Sequence, residues 1–221
     1  MMSFLTKLTD LFKGEETMSF LTELKNRRTI YALGRNTEVA DEKIVEVIKE
    51  AVRQSPSAFN SQTTRVLILL NDVVSKFWNE LVATDLEATM KEQGAPEEAI
   101  AGTKEKLASF GAAKGIALFF EDQDVVKGLQ EQFALYAENF PIWSEQASGI
   151  STVNAWTALS SELGLGANLQ HYNPVIDASV ASTYGIPANW KLRGQLNFGS
   201  IEAPAGDKDF MADEDRFKVI G

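Results

Sequence analysis

The stretch SEQASGISTVNAWTALSSEL at residues 144–163, followed by GLGANLQH at residues 164–171, determines much of the predicted fold. It carries few charges, and its apolar residues are spread around most of the helical circumference, a pattern typical of a helix that is central or buried between subunits. Gly164 is explained as a helix stop, whereas Gly166 is not and would let a flat ring approach backbone N–H groups. We therefore predict a long central helix that leads into a short strand at residues 167–170.

Outward from this helix, amphipathic segments alternate with short apolar runs. Apolar residues at helical spacing predict helices at residues 19–26, 41–54, 75–93, 97–110, 125–139 and 177–184. Apolar runs too short for a helix predict buried strands at residues 65–70, 116–120 and 191–198. Residues 203–221 form an irregular acidic tail. Helices around a sheet of about four short strands indicate an α+β fold.

The composition is that of an ordinary globular protein. The 221 residues are 44% hydrophobic and 24% charged, and a chain of this length buries a core that needs no covalent staples. It has no cysteine, which excludes disulfides, thiolate metal sites and cysteine nucleophiles. A cytoplasmic location fits that absence. No apolar run reaches the roughly 18 residues that a membrane span requires.

The net charge of −10 restricts the class of partner. An acidic surface repels phosphate backbones, so we expect no binding to nucleic acid. An anionic ligand would need a local basic pocket that acts against the overall field.

The N-terminal residues contain a short repeat, since MSFLTKL at residues 2–8 recurs as MSFLTEL at residues 18–24. Residues 3–13 have the spacing of a short amphipathic helix. That helix could dock on a membrane surface or a partner, or pack on the body of the protein. We favour an N-terminal extension at residues 1–17 ahead of a single domain at residues 18–221.

Few residues could carry catalysis unaided. The single histidine, His171, is the only possible base of a Ser-His-Asp triad, and a histidine in a polar loop is more often a scaffold residue. Metal sites built from several histidines or cysteines are impossible, and no carboxylates occur at ligand spacing. The common phosphate-binding glycine motifs are also absent. An enzyme of this sequence therefore needs a bound cofactor.

Three segments nevertheless indicate a ligand site. In NRRT at residues 26–29, adjacent arginines offer forked donors to a phosphate, although surface arginine pairs are common. In SPSAFNSQ at residues 55–62, short polar side chains suit a heterocycle or a ribityl chain, although an ordinary turn has a similar composition. The third segment is GLGANLQH.

In this order and spacing, the three segments resemble the nitroreductase family of FMN-dependent NAD(P)H oxidoreductases, from about Phe20 to Lys218. The amino-acid sequences of the second and third segments are similar to those of the fatty-acid-repression-mutant-like and copper-induced nitroreductases of lactic bacteria and fungi. The resemblance implies a central, mostly antiparallel sheet surrounded by helices, in an intertwined homodimer with FMN at the interface. It also implies ping-pong hydride transfer from NADH or NADPH to a small-molecule acceptor, a nitroaromatic or a quinone, without a catalytic side chain.

The resemblance assigns cofactor contacts position by position. Residues 27–29 would hold the FMN phosphate, with Arg28 as the candidate for stabilising reduced flavin. Residues 56–62 would complete the partner subunit's site. The backbone at residues 169–171 would wrap around the flavin near its reactive edge, and Lys208 would be a further ligand of the FMN phosphate. The predicted cofactor-binding residues are Arg27, Arg28, Thr29, Pro56, Ser57, Ala58, Asn60, Gln62, Leu169, Gln170, His171 and Lys208.

Two alternatives remain open from the sequence. The segment LQHYNP at residues 169–174 departs from the better-known branch of the family, so a flavin-binding stress or regulatory protein with little turnover is a second hypothesis. Aromatic residues at spacings of three and four are candidates for the substrate side of the flavin, although such spacing is more often that of core residues. These residues are Phe133, Tyr136, Phe140 and Trp143.

Overall fold

An antiparallel sheet of five strands lies at the centre of the protein, of which the computed structural model describes residues 19–221. The strands are β1 (Leu33–Gly34), β2 (Thr64–Leu70), β3 (Gly115–Asp122), β4 (Gly166–Gln170) and β5 (Trp190–Ile201). They are ordered β1-β5-β3-β2, with β4 paired to β5 as well. The predicted α+β fold with a mostly antiparallel central sheet is confirmed.

Helices cover the sheet. They are α1 (Phe20–Asn26), α2 (Asp41–Arg53), α3 (Asp72–Lys76), α4 (Ala83–Glu92), α5 (Glu97–Gly111), α6 (Gln123–Gln132), α7 (Phe140–Leu163), α8 (Asp177–Tyr184) and α9 (Asp213–Arg216). A π-helical segment, Phe77–Val82, joins α3 to α4, and short 3-10 turns occur at Ala58–Asn60 and Ala134–Tyr136.

Strand β3 divides the core into two clusters. Every residue of β3 is buried, and its side chains alternate between the faces because successive residues of a strand point in opposite directions. Ile116 and Leu118 pack with Trp78 of the π-helical segment, whereas Ala117 and Phe119 pack with residues of α2 and α7. Helices therefore lie on both faces, which explains why the sequence of β3 is apolar without alternation.

The long helix α7 is central, as predicted, but begins earlier than expected. It starts at Phe140, with Pro141 in its first turn. A proline is tolerated there because the first backbone N–H groups of a helix have no acceptor within the helix, so its missing N–H breaks no hydrogen bond. The prediction that a helix at residues 125–139 ends before Pro141 is wrong in its second half, since α6 ends at Gln132. The buried face of α7 carries many small residues, among them Ser148, which allow close packing.

A close backbone crossing explains Gly166. The segment that leads into β1 lies across β4 and β5, and a Cβ atom on Gly166 would lie 2.8 Å from Ile201 Cγ1 and 3.0 Å from Ile30 Cβ. A Cβ atom on Gly199 would lie 2.2 Å from the carbonyl oxygen of Gly34. Glycine at these positions lets the segment reach the sheet, a requirement that local sequence does not show.

Two remaining predictions concern the ends of the chain. The acidic tail is irregular as expected, except for the short helix α9. The amphipathic helix proposed for residues 3–13 lies outside the described residues. Among the helices of residues 19–221, none is both long and apolar enough to span a membrane.

Candidate functional site

The residues 27–29 are fixed against the sheet as the chain leaves α1. Arg27 is the C-cap of α1 and has an extended conformation. Thr29 forms a parallel bridge with Ala167 of β4, and the next backbone N–H, that of Ile30, donates to Ala167 O at 2.9 Å. The side-chain amide of Asn168 donates to Ile30 O at 2.8 Å. The arginines are thus presented from a segment whose backbone is anchored to β4.

Residues 27–29 and the start of the C-terminal tail enclose a first cavity of about 530 Å³. It brings together three cations that are distant in sequence, Arg27, Arg28 and Lys208, with Asp207 as the opposing charge. The guanidinium of Arg28 donates to the carbonyl oxygen of Gly206 at 2.5 Å. In a chain of net charge −10, this is the local basic pocket that an anionic ligand requires.

A second cavity of about 360 Å³ lies on the other side of Arg27, between β4, β5 and one face of α7. Its lining includes Arg27, Leu169 and His171, so it joins the first and third segments singled out in the sequence. The guanidinium of Arg27 lies 4.5 Å from the ring centroid of Trp156 on α7. Because Arg27 lines both cavities, one ligand with an anionic end and a flat ring could occupy both.

Gln170 is directed away from this cavity. Its side-chain amide donates to Asn168 Oδ1 at 2.9 Å, and the same oxygen accepts from Asn197 Nδ2 at 3.0 Å. The indole N–H of Trp78 donates to Asn197 Oδ1 at 2.8 Å. This buried network holds β4 in register beneath the cavity, and Gln170 does not line the cavity itself.

The loop at residues 56–62 lies apart from the two basic cavities. Within one chain it lines a third, mostly apolar cavity of about 420 Å³ together with Trp143 and other residues of α7. Phe59, Asn60 and Gln62 all have positive φ angles, a strained conformation for side-chain-bearing residues that persists only where the surroundings enforce it. The structure therefore does not bring this predicted segment together with Arg27 in the same chain.

The four candidate aromatic residues gather around Phe59. Ring centroids of Phe133 and Phe140 lie 4.9 and 5.4 Å from that of Phe59, and those of Tyr136 and Trp143 lie 6.2 Å away. Phe140 is 2% exposed and belongs to the core, whereas Tyr136 is 42% exposed. The cluster is thus partly core and partly the wall of the third cavity.

Comparison with known proteins decides the family. The sequence profile of the Nitroreductase family matches residues 24–200, which include β1 to β4, all of β5 but its last residue, and all the described residues that line the second and third cavities. The chain belongs to the nitroreductase family.

Its relatives match the branch expected from the sequence. The nitroreductase CinD from Lactococcus lactis, solved in complex with chloramphenicol, is 62% identical, with a TM-score of 0.84 over 92% of this chain and 100% of CinD. HBN1 of Saccharomyces cerevisiae, named as a nitroreductase, is 34% identical over 89% of this chain and 95% of its own length. A Desulfovibrio desulfuricans protein in complex with FMN shares the fold, at 20% identity and a TM-score of 0.63 over 90% of this chain and 96% of that one.

Arg193 and Glu145 line the second cavity of this member of the family and were not found from the sequence. They form an ion pair between β5 and α7. Residues of α7 that face the cavity recur at helical spacing, and this spacing is a signal that the sequence carries. They include Glu145, Ser148, Thr152 and Trp156. Arg193 is one of two charged residues in β5, the other being the exposed Lys191, so the sequence alone does not single it out.

Glu121 is a buried carboxyl group behind the start of α7. It is 0% exposed, and its oxygens accept from Thr64 Oγ1 at 2.6 Å and from Ser144 Oγ at 2.5 Å. Burial raises the pKa of Glu121, and the hydroxyl donors oppose that rise only in part. Since the native pKa exceeds the unfolded one, the contribution of this group to stability is complete below about pH 4.5 and is lost as the pH rises through the native pKa.

Glu121→Gln should remove this pH dependence while keeping the shape of the side chain. We expect the variant to gain stability relative to the wild type between pH 4 and pH 8, by about 1.4 kcal/mol for each unit by which the native pKa is raised. Urea unfolding at both pH values measures it. The exposed Glu162→Gln on α7 is the control, and an equal free-energy difference at the two pH values would contradict the prediction.

Proposed function

We propose that this protein is an FMN-dependent NAD(P)H oxidoreductase that acts as a homodimer and reduces nitroaromatics or quinones. The observation that carries the proposal is the pair of cavities that meet at Arg27, one rich in cations and one bounded by Leu169 and His171. Membership of the nitroreductase family supports the reaction class. CinD was solved with chloramphenicol and with 4-nitrophenol, both of which carry a nitro group on an aromatic ring.

The residues present fit FMN. A phosphate in the first cavity would meet Arg27, Arg28 and Lys208, and guanidinium groups bind phosphate oxygens with paired donors. The second cavity offers the apolar surfaces of Trp156 and Leu169 to a ring and the hydroxyls of Ser148 and Thr152 to its polar edge. An acidic chain would otherwise repel the cofactor, so the clustering of its cations here favours this ligand.

FMN, when bound, would accept two electrons from NAD(P)H and pass them to the acceptor. The protein's own residues would bind the cofactor, orient it and tune its reactivity. Arg27 would hold the phosphate end and close the second cavity by stacking on Trp156. The Asn168–Asn197–Trp78 network would keep β4, and with it Leu169 and His171, from shifting between turnovers. Arg28, held by Gly206 O, lines only the first cavity, which favours a role at the phosphate over one at the ring.

A homodimer would bring the loop at residues 56–62 to the site. Apolar side chains are exposed on α1 and α7, including Phe20 at 70%, Leu21 at 66% and Ile150 at 38%. An exposed apolar surface of this kind is typical of an interaction site, and a second copy of the chain would remove it from water. In the family dimer this loop completes the partner's site, which agrees with its absence from the two cavities that Arg27 lines in one chain.

A visible absorption spectrum before and after anaerobic NADH, and then NADPH, tests the proposal. We expect a flavin band that bleaches, with the faster reductant identifying the preferred nicotinamide. A flavin band that resists both reductants would favour the regulatory alternative. A colourless protein that takes up no added FMN would overturn the proposed cofactor and the reaction with it.

Trp143→Ala tests whether the aromatic cluster binds the acceptor. Loss of one aromatic stacking partner costs about 0.5–1.5 kcal/mol, so we expect the Michaelis constant for a nitroaromatic to rise about 2- to 12-fold, with FMN content unchanged. Steady-state kinetics with 4-nitrophenol and with a quinone measure it. Ile142→Ala, an exposed neighbour outside the third cavity, is the control. Unaltered Michaelis constants for both acceptors would remove Trp143 from the acceptor site.

A further inference from the structure

Arg193 is a cation of the second cavity that is carried by the central sheet. It is carried by β5 at the bulge where the register against β3 shifts between Phe119 and Phe120, two residues before the pairing of β5 with β4 begins. Bulges of this kind re-aim a side chain. Its side chain is 18% exposed. Unlike Arg28, it lines the cavity of Leu169 and His171 and not the first, cation-rich cavity. A charge held on a sheet strand keeps its position better than one on a loop.

The guanidinium of Arg193 is only partly satisfied within residues 19–221. One terminal nitrogen pairs with Glu145, whose side chain is 48% exposed, while the buried Nε has no acceptor in this part of the chain. A buried guanidinium donor without an acceptor is costly. The unused donor is what a ligand oxygen in the cavity would satisfy.

The local charges around Arg193 are few and can be separated by mutation. Glu145 is the carboxylate paired with it, and Arg27 is the other cation of the cavity. Asp177 lies within electrostatic reach, because burial raises the pKa of its carboxyl while the positive charges of Arg193 and Lys191 oppose that rise. Removing Arg193 or Glu145 therefore changes the charge beside the cavity by one unit in opposite directions.

We propose that Arg193 is the positive charge beside the redox-active ring of bound FMN, that it raises the reduction potential of the ring, and that Glu145 limits this effect. The assignment rests on the proposed function. In the reductive half-reaction NAD(P)H gives up two electrons and one proton and becomes NAD(P)⁺, and FMN gains one unit of negative charge. A fixed positive charge in a partly desolvated cavity favours that gain.

The midpoint potential of the bound FMN, measured against a reference dye during slow anaerobic reduction, tests the proposal. Arg193→Gln should lower the equilibrium constant for two-electron reduction about tenfold, which is about 30 mV. Glu145→Gln should raise it by a similar factor, because Arg193 is then no longer neutralised. Arg193→Lys, which keeps the charge, should stay close to the wild type.

Lys191→Gln is the matched control, since it removes a positive charge from the same strand at an exposed residue outside the cavity. Its potential should change much less than that of Arg193→Gln. An Arg193→Gln protein that binds FMN with the wild-type potential would overturn the proposal, as would shifts of the same sign in Arg193→Gln and Glu145→Gln, which would indicate a merely structural ion pair.

The variants also separate this proposal from the proposed function. If Arg193→Gln fails to retain FMN, Glu145→Gln decides: a raised potential supports the assignment and an unchanged or lowered one overturns it. If the wild-type protein itself takes up no FMN, the proposed function fails and the assignment fails with it. A wild type that binds and reduces FMN with no response to either variant rejects the role of Arg193 alone.

Discussion

Arg27→Ala is expected to weaken FMN binding about 10- to 150-fold. Hydrogen bonds to charged groups are worth about 1.5–3 kcal/mol, and each 1.4 kcal/mol is a factor of about ten in affinity. Arg27 lines both basic cavities and stacks on Trp156 at 4.5 Å, so its loss removes a phosphate donor and opens the boundary between them. Titration of the apoprotein, followed by the quenching of FMN fluorescence, measures the dissociation constant.

Arg53→Ala is the matched control for this loss of charge. Arg53 lies on α2, its side chain is 65% exposed and it pairs with Glu50, so its replacement changes the net charge equally without touching either cavity. We expect FMN affinity within about twofold of the wild type, since surface pairs contribute about 0–1 kcal/mol. An unchanged dissociation constant in Arg27→Ala would remove Arg27 from the cofactor site.

Gly199→Ala is expected to destabilise the fold by about 3 kcal/mol or more. The new Cβ atom would lie 2.2 Å from Gly34 O and 3.0 Å from Lys114 N, and both are backbone atoms that cannot rotate away. Overpacking costs about 1–3 kcal/mol where side chains can yield, so the cost here is at or above the upper limit. Because the displaced segment also carries residues 27–29, FMN binding should weaken as well. Urea unfolding measures the loss of stability.

Gly128→Ala makes the same chemical change, but we expect it to raise the free energy of unfolding rather than lower it. Gly128 lies in α6, and a Cβ atom there would meet nothing within 4 Å. Alanine is the better helix former by about 0.5–1 kcal/mol, so this variant should unfold at higher urea concentration than the wild type. Equal free energies of unfolding for the two variants would show that the crossing at Gly199 relaxes without cost.

Much of the fold could be predicted because its signals are local. The weak charge of α7 and the apolar run of β3 indicate burial without knowledge of any partner. The two residues of β1 have no periodicity and pair only with the far end of β5, so no local pattern reveals them. The start of α7 at Phe140 was missed because a proline both ends one helix and begins another.

The candidate site was harder to predict, since its parts meet only in three dimensions. The sequence and the family resemblance together predicted Arg27 and Lys208 as cofactor-binding residues. The two are far apart in the sequence and line the same cavity. Arg193 and Glu145 were missed because their contact depends on how α7 packs across β5. Gln170 was predicted as a cofactor-binding residue, and its side chain is used instead by the buried amide network.

The attachment of the C-terminal tail through Arg28 and Gly206 has a consequence for the lifetime of the protein. The first cavity lies between residues 27–32 and residues 203–208, so a ligand that contacts both sides joins the two ends of the described chain like a removable crosslink. Such a ligand binds only while the two segments lie together, so this arrangement is stabilised as the ligand concentration rises above the dissociation constant. With the proposed cofactor in this cavity, limited proteolysis of residues 203–221 should slow when FMN is supplied, and the survival of each molecule would then depend on cofactor supply.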